Sequence, residues 1–386
     1  MDQPFTSTFW ETDDNHVAVN PQQPEAASGL TEFASKIGLR GCCFFQTSGS
    51  EGAPKWVALR KESLLISGAA VNAHFEITAA DRWLVALPLH HVGGFAIHAR
   101  AYLSSSSVVT GQASKWEPRA FARDCERLGI TLVSLVPTQV HDLVHERIGC
   151  PQALRAAIIG GGGMSQTLAD QAAALGWRVF QSYGMTEAAS QIATQPYNPF
   201  GAVFDITTLE VLPHWQVAVD DHERLLLRGE ALARGYVTQL PGGEWAWQEI
   251  SQEEGLRTRD LVKVWEHGTR RFLKFIGREA GFVKVLGELV HLAPLQAKVE
   301  QLAAAAAWAQ TPVIAAVPDA RRDARLVLVT EPACGGDAAA LVAAFNSDAD
   351  GLSQISEFVG IPTIPRTSLG KVRMQALEEI LGVQAL

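Results

Sequence analysis

No apolar run in this 386-residue chain approaches the roughly 20 residues that a bilayer-crossing helix needs. The alanine tract at 303–307 is short and falls in a helix-like pattern. The chain opens with Met1, Asp2 and Gln3, then Asp13 and Asp14, without the basic start and apolar middle of a signal peptide, so a cytoplasmic location is expected. Basic charge is in deficit: 32 Lys and Arg stand against 41 Asp and Glu, a net charge of −9. That balance argues against wholesale binding to nucleic acid or anionic membrane, while leaving room for a local basic pocket. Cysteine is scarce, and Cys42, Cys43, Cys125, Cys150 and Cys334 show no metal or redox spacing, so reduced core thiols are expected. What is abundant is apolar residue, 47% against 19% charged, which excludes a disordered acidic chain or a fibre.

The length suggests two or three domains with ample core. Residues 1–40 read as polar and irregular, with Pro21 and Pro24 in a loop-like stretch. From Gly41 onward short apolar runs alternate with helical segments. Strands are expected at 42–45, 83–87, 108–110, 131–136 and 156–159, and helices at 64–75, 95–103, 121–128 and 165–175. That alternation predicts an α/β fold, with helices packed on a largely parallel sheet. After Pro199 the short β-like runs at 209–212, 216–219 and 225–227 suggest a compact antiparallel region. Runs at 271–275 and 282–286 flank an expected turn at Gly277 and Arg278. A helix (295–309), two strands (313–317 and 326–330) and a helix (338–345) then predict a small α+β unit. The expected division is therefore a body over 1–279 and a C-terminal domain over 280–386.

Three glycine-bearing segments follow strands. The first runs Gln46, Thr47, Ser48, Gly49, Ser50, Glu51, Gly52, Ala53, Pro54, Lys55. Small hydroxyl residues and glycines let backbone N–H groups approach phosphate oxygens, and Lys55 adds a mobile positive charge. Pro54 breaks the Walker pattern, and a Gly/Ser hairpin turn is the competing interpretation of the segment alone. The second, Gly160 to Gly163 with Gly161 and Gly162 at its centre, fails the dinucleotide fingerprint and indicates only a close backbone approach. In the third, Gln181 to Glu187, a hydroxyl and a carboxylate stand side by side at Thr186 and Glu187, a pair suited to phosphate and Mg2+. Three such loops predict a crevice at the carboxyl ends of a parallel sheet.

Together these segments resemble the adenylate-forming superfamily of acyl-CoA synthetases, luciferases and adenylation domains. The resemblance runs from Phe44 to Met374 through six motifs in order. Thr47, Ser48, Gly49, Ser50, Gly52 and Lys55 are similar to the family's phosphate loop. Pro88-Leu89-His90-His91-Val92-Gly93-Gly94 is similar to its acid-side loop, implying His91 near the carboxylate. In Gln181–Glu187 the resemblance implies Tyr183 at adenine beside Gly184, Thr186 at the α-phosphate and Glu187 at Mg2+. Thr258-Arg259-Asp260 implies Asp260 on the ribose hydroxyls, and Gly277-Arg278 implies Arg278 as a second ribose contact. Pro365-Arg366-Thr367-Ser368-Leu369-Gly370-Lys371 implies Lys371 as the lysine that drives adenylation.

Within the superfamily, Leu87 to Gly94 and Gln181 to Gln191 most resemble the o-succinylbenzoate–CoA ligase branch of menaquinone and phylloquinone synthesis. The resemblance implies ATP, Mg2+ and coenzyme A as co-substrates and cofactors, a small carboxylic acid as substrate, and a mobile C-terminal lid. A second carboxylate on the acid needs a basic pocket, for which Arg100 is the nearest basic residue in sequence. Another aryl or acyl acid, transfer to a carrier-protein thiol, and a non-catalytic nucleotide-binding scaffold are the alternatives; the joint presence of Lys55, Glu187 and Lys371 argues against the scaffold. A homo-oligomer is left open.

Departures from the pattern are specific. Arg259 stands where the family has glycine, Ala280 where the hinge has Asp or Lys, and Gly281 where an acidic residue follows. Val290-His291-Leu292-Ala293-Pro294 replaces the usual proline-containing segment. The phosphate loop begins as early as Thr47, so much of the family's N-terminal subdomain is expected to be missing or shrunken. His141 and His145, four apart without the glutamate of a metalloprotease motif, are expected on a helix surface. Most of the ten tryptophans are expected in the core or in pocket walls.

Overall fold

All four residues of strand Leu132–Leu135 are buried, and so are all four of Ala156–Ile159. Continuous rather than alternating burial means both faces are covered, as in a parallel sheet under helices. The computed structural model describes residues 5–47, 55–110, 116–198, 205–240, 242–286, 288–319, 321–367 and 370–382. In it, parallel ladders join Ser107–Thr110, Arg82–Val85, Leu132–Leu135, Ala156–Ile159 and Val179–Tyr183 in that spatial order. Beyond Val179–Tyr183 the same sheet turns antiparallel through Ala193–Thr194 and Leu209–Val211 to Arg270–Arg278. It ends on Leu256–His267, Arg224–Arg228 and Gln216–Val219. The fold is α/β, as the alternating pattern predicts.

Helices cross between the parallel strands, and their ends are written locally. Pro118–Leu128 begins with Pro118 at its first position, and the Glu117 carboxylate accepts the Ala120 N–H at 2.7 Å. It stops at Gly129, whose φ of +59° an L side chain adopts only with strain. Phe121 and Cys125 face inward while Arg119, Arg123 and Arg127 stay exposed. Burial of Phe121 contributes about 1.5–3 kcal/mol, and Phe121→Ala is the single change that would most damage this contact.

A second sheet has the order His16–Ala18, Cys42–Thr47, Lys55–Arg60, Gly235–Gln239, Trp245–Glu249. Here two expectations are corrected. The strand before the phosphate-loop segment lies in this sheet, not in the parallel one, and its register pairs Thr47 with Lys55 in an antiparallel ladder. Only the second and third glycine segments therefore leave adjacent parallel strands. Residues 1–40 are also more ordered than their polar composition suggests, forming helices Ser7–Glu11 and Leu30–Lys36 and strand His16–Ala18. The reason is tertiary burial: Phe5, Phe9 and Trp10 pack on Phe95 with ring centroids 4.6, 6.1 and 6.1 Å away. Leu30 and Ala34 are fully buried against Phe44 and Trp56.

By spatial contact the chain forms two units. One comprises Met1–Met164, Leu168–Thr258 and Val262–Phe275; the other comprises Ser165–Thr167, Arg259–Leu261 and Ile276–Leu386. In the second unit, hairpin Phe282–Val285 and Glu288–His291 precedes helix Leu292–Ala305. A three-stranded sheet of Val313–Asp319, Asp323–Thr330 and Ile355–Gly360 carries helices Ala338–Asn346 and Met374–Ile380. Its core gathers Val299, Trp308, Ile314, Leu328 and Phe345. Gly277 and Arg278 do not form the expected turn: they complete strand Arg270–Arg278, and the chain bends only at the short helical turn Glu279–Gly281. Strand pairing there overrides the turn preference of the glycine. Among the described residues no helix is long and apolar enough to cross a membrane.

Candidate active site

The two segments that leave adjacent parallel strands are stitched together by side chains from Val179–Tyr183. Gln181 Oε1 accepts the Met164 N–H at 2.9 Å, and its Nε2 donates to the carbonyls of Gly162 at 3.1 Å and Ile159 at 3.3 Å. Ser182 Oγ donates to the Ile159 carbonyl at 2.9 Å. These contacts hold the glycine run open along one side of the turn after Tyr183. Gly161 has φ +75°, and a Cβ on Gly160 would approach Ser182 Oγ to 3.3 Å. Gly184 is stricter: a Cβ there would lie 1.7 Å from the Ser190 carbonyl oxygen, so only glycine fits.

That closeness folds the motif back on itself. Thr186–Ala188 is a 3-10 turn, Ala189 and Ser190 follow with φ of 49° and 107°, and the Ile192 N–H donates to the Tyr183 carbonyl at 2.8 Å. Glu187 is held at two points, its carbonyl accepting the Ala233 N–H at 2.8 Å and its Oε1 accepting the Tyr236 hydroxyl at 3.0 Å. Tyr183 stacks on Phe275, ring centroids 5.5 Å apart. Lys55, at the start of Lys55–Arg60, sets its ammonium 3.7 Å above the Tyr236 ring. Thr47, Lys55, Tyr183, Gly184, Thr186 and Glu187 thus fall in one unit. Ser48, Gly49, Ser50 and Gly52 lie outside the described residues.

His91 caps helix Val92–Ser104, its backbone N–H donating to the Pro88 carbonyl at 3.1 Å. A Cβ on Gly94 would come within 2.5 Å of that same carbonyl, which is why the loop needs glycine there. Burial, with the neighbouring charge of His90, pulls the His91 imidazole pKa down to about 4, so it is neutral at physiological pH. Two turns along the same helix, Arg100 is fully buried and carries no acidic partner among the described residues. Its Nη2 donates to Ser190 Oγ at 3.1 Å and its Nη1 reaches Ser134 Oγ at 3.5 Å, while the guanidinium lies 5.6 Å from the Trp83 ring. Burial lowers its pKa to about 10, which still leaves it charged.

The second unit carries its own cluster. Asp260 is buried and accepts from Arg278 Nε at 2.8 Å. Lys371 closes a tight turn, the Thr367 N–H donating to its carbonyl at 2.7 Å and its own N–H donating to Thr367 Oγ1 at 3.2 Å. Desolvation and the charge of Arg278 lower the Lys371 pKa, against the opposing pull of Asp260. A Cβ on Gly277 would lie 2.2 Å from His291 Nε2, so the imidazole occupies the space that glycine leaves.

The sequence pattern of the AMP-binding enzyme family matches residues 22–237, more than half of the chain. The chain belongs to this family. Among its relatives, 2-succinylbenzoate–CoA ligase of Bacillus subtilis is 27% identical over 258 residues, covering 65% of this chain and 51% of that protein. The same-named protein of Enterococcus faecalis is 25% identical over 288 residues, covering 71% and 56%. The chain spans about half the length of the relatives it matches in sequence. In solved structures, the fold is similar to o-succinylbenzoate CoA synthetase of Bacillus subtilis in complex with its acyl-adenylate intermediate. That match has TM-score 0.71 and 23% identity over 87% of this chain and 68% of the other. The same enzyme with ATP and magnesium gives TM-score 0.70 at 23% identity over 87% and 69%.

For an AMP-binding enzyme the donor set fits a hard cation: Glu187 offers one carboxylate oxygen beyond the Tyr236 bond, and the hydroxyl residue Thr186 precedes it in the chain. No group of three or more His, Cys, Asp or Glu among the described residues could hold a metal by itself. A single carboxylate completed by nucleotide phosphates is the usual arrangement for Mg2+. Sequence reasoning missed Tyr236, Ser134 and Ser190. For Tyr236 the available signal was Gly235 before it, where a Cβ would lie 2.2 Å from the Gln248 carbonyl and force strands apart. The two serines had no signal, since each matters only through its contact with Arg100.

Proposed function

We propose that this chain is an ATP-dependent acid–CoA ligase working in the cytoplasm through an acyl-adenylate, with 2-succinylbenzoate as the favoured acid. The turn from Tyr183 to Glu187 carries the proposal: Gly184 lets the turn fold back on itself, and the Tyr236 hydroxyl holds the Glu187 carboxylate there, just beyond two parallel strands. A carboxylate acylates poorly, because oxide is a bad leaving group. Attack of its oxygen on the ATP α-phosphorus forms one P–O bond and breaks that to pyrophosphate. The thiolate of coenzyme A then attacks the acyl carbon and AMP departs with the former carboxylate oxygen.

Two anions must meet in the first step. Glu187 and Thr186 would hold magnesium, whose chemistry there is neutralisation between the phosphates and the acid. Lys55 and the segment 47–55 would orient the β- and γ-phosphates, Tyr183 would take the adenine, and Asp260 with Arg278 the ribose. His91, neutral by burial, would lie beside the acid without adding charge. We also propose that residues 280–386 act as a lid hinged at Ala280, bringing Lys371 for adenylation and removing it for the thiol.

Arg100 supports a dianionic acid. A fully buried guanidinium without a carboxylate is costly in isolation. The carboxylate of such a substrate would offset that cost, and Ser190, which Arg100 touches, belongs to the same turn as Glu187. Acid-dependent exchange of labelled pyrophosphate into ATP, across 2-succinylbenzoate, benzoates and fatty acids, tests the proposal. Exchange with 2-succinylbenzoate supports it, and thioester formation on adding coenzyme A identifies the acceptor. ATP binding with no exchange across the panel would overturn it.

A further inference from the structure

Tyr236, a buried member of the hydrophobic core, also touches two charged groups that packing does not require. Its hydroxyl donates to Glu187 Oε1 at 3.0 Å, and its ring lies 3.7 Å beneath the Lys55 ammonium. The strand register explains how both are reached. Val57 pairs with Tyr236 and Lys55 with Thr238, so Lys55 and Tyr236 are diagonal neighbours on one face of the ladder. The backbone leaves the tyrosine little freedom. A Cβ on Gly235 would strike Trp247 Cη2 at 2.7 Å, and the N–H groups of Ala233 and Arg234 are tied to Glu187 and Ala58 at 2.8 Å each.

The consequence is electrostatic. Lys55 and Glu187 carry opposite charges, and a direct ion pair between them would quench both. An aromatic face attracts an ammonium without neutralising it, and a phenol O–H satisfies one carboxylate oxygen while leaving the second to bind.

We infer that Tyr236 is a positioning residue that holds Glu187 and Lys55 apart and ready, one for a divalent cation and the other for the phosphates of the nucleotide. The inference rests on the metal and phosphate roles given to those two residues above.

Tyr236→Phe keeps the ring under Lys55 and removes only the hydroxyl. Binding of Mn2+, as a probe for magnesium, to the protein with ATP is read from the paramagnetic signal of free Mn2+, which needs no turnover. The Mn2+ dissociation constant should rise about 10-fold, within the range seen when a group orienting a metal ligand is lost. ATP affinity at saturating Mn2+ should change much less. Tyr236→Leu should also weaken ATP, because Lys55 loses its seat. In a Glu187→Gln background, Tyr236→Phe should add nothing, since the hydroxyl acts through that carboxylate. Unchanged Mn2+ affinity in Tyr236→Phe, or an equal further loss in the Glu187→Gln background, would overturn the inference. Absence of pyrophosphate exchange in the wild type with normal Mn2+–ATP binding would instead overturn the ligase proposal, and the Mn2+ comparison would still decide the role of Tyr236.

Discussion

Arg278 Nε donates to Asp260 Oδ1 at 2.8 Å, yet the two partners sit in unlike surroundings: the Asp260 side chain is 6% exposed and that of Arg278 58%. The arginine is oriented by the aspartate rather than buried with it. Such a half-exposed pair contributes little to stability, and in the proposed ribose role it presents a fixed carboxylate.

Asp260→Ala should therefore raise the KM for ATP by about 10- to 100-fold, the loss expected when a hydrogen bond to a charged group is removed. The acid's KM should stay within about 2-fold. Steady-state exchange kinetics with each substrate varied in turn check this. Equal losses for both substrates would mean that Asp260 only supports the fold.

Arg100→Met tests the buried guanidinium. The volume is nearly kept and Ser134 and Ser190 keep their hydroxyls, so the core should survive. The KM for 2-succinylbenzoate should rise by at least about 30-fold, the lower end for breaking a charged pair in a buried site, while a monocarboxylate such as benzoate is unaffected. Comparing KM for the two acids in both proteins decides it; a parallel rise for both acids would remove Arg100 from recognition.

Much of this site was legible in the sequence, and the difference between what was and was not is physical. Gly184 and Gly94 were visible because a backbone oxygen stands where their Cβ would be, a constraint tied to one position and surviving as a motif. The parallel strands were visible because burial on both faces leaves an uninterrupted apolar run, as in Ala156–Ile159. The role of Tyr236 was not visible, although Gly235 marks the strand, since its partner Glu187 is 49 residues away and its strand sits in the other sheet. The turn wrongly expected at Gly277 had a local signal, but strand pairing outweighed it. Order within residues 5–36 rests on aromatic contacts of Phe5 and Phe9 with Phe95 and on burial of Leu30 and Ala34 with Phe44 and Trp56, which polar composition conceals.

Stability should fall as the solution is acidified from pH 6.5 toward 4. His98 and His214 are held at pKa values of about 4 by burial, below the ordinary value of 6.5. Between those limits the unfolded chain binds protons that the folded chain refuses, so unfolding is favoured as pH falls, and the effect is complete below about 4. His98 is 3% exposed, its Nε2 lacks a hydrogen-bond partner, and its ring packs 4.8 Å from Phe5. Its share is of the order of a few kcal/mol. His98→Leu should flatten the dependence of melting temperature on pH in this window; a slope equal to that of the wild type would show that His98 is not among the groups refusing protons.

Arg155 closes on Asp81 with Nε to Oδ1 at 2.7 Å and Nη2 to Oδ2 at 2.9 Å, and also donates to Tyr197 Oη at 2.8 Å and the Phe75 carbonyl at 2.7 Å. Arg155→Met would leave Asp81 ionised in a mostly buried site, its remaining donors being the Thr78 N–H and the Thr131 hydroxyl. Breaking one side of such a pair costs about 3–5 kcal/mol. Asp81→Asn with Arg155→Met should recover part of that loss, because the stranded charge is gone. Denaturant unfolding of the single and double variants measures both, and no recovery in the double would assign the loss to the Tyr197 and Phe75 contacts instead.

In the proposed lid cycle Lys371 serves the first half-reaction and not the second. Its backbone is pinned by the Thr367 bonds and by the bridge between Arg366 and Val372, while its side chain is exposed, so Lys371→Ala should leave the fold intact. Loss of its charge from the adenylation step should cut pyrophosphate exchange by about 10²- to 10³-fold, the scale of a lost transition-state charge stabiliser. Thioester formation from supplied acyl-adenylate and coenzyme A should continue near the wild-type rate, because the lysine serves only the first step in the proposed lid cycle. Rapid-quench measurement of each half-reaction gives the two numbers separately. If both fall together, the lysine serves one fixed arrangement and the lid does not alternate.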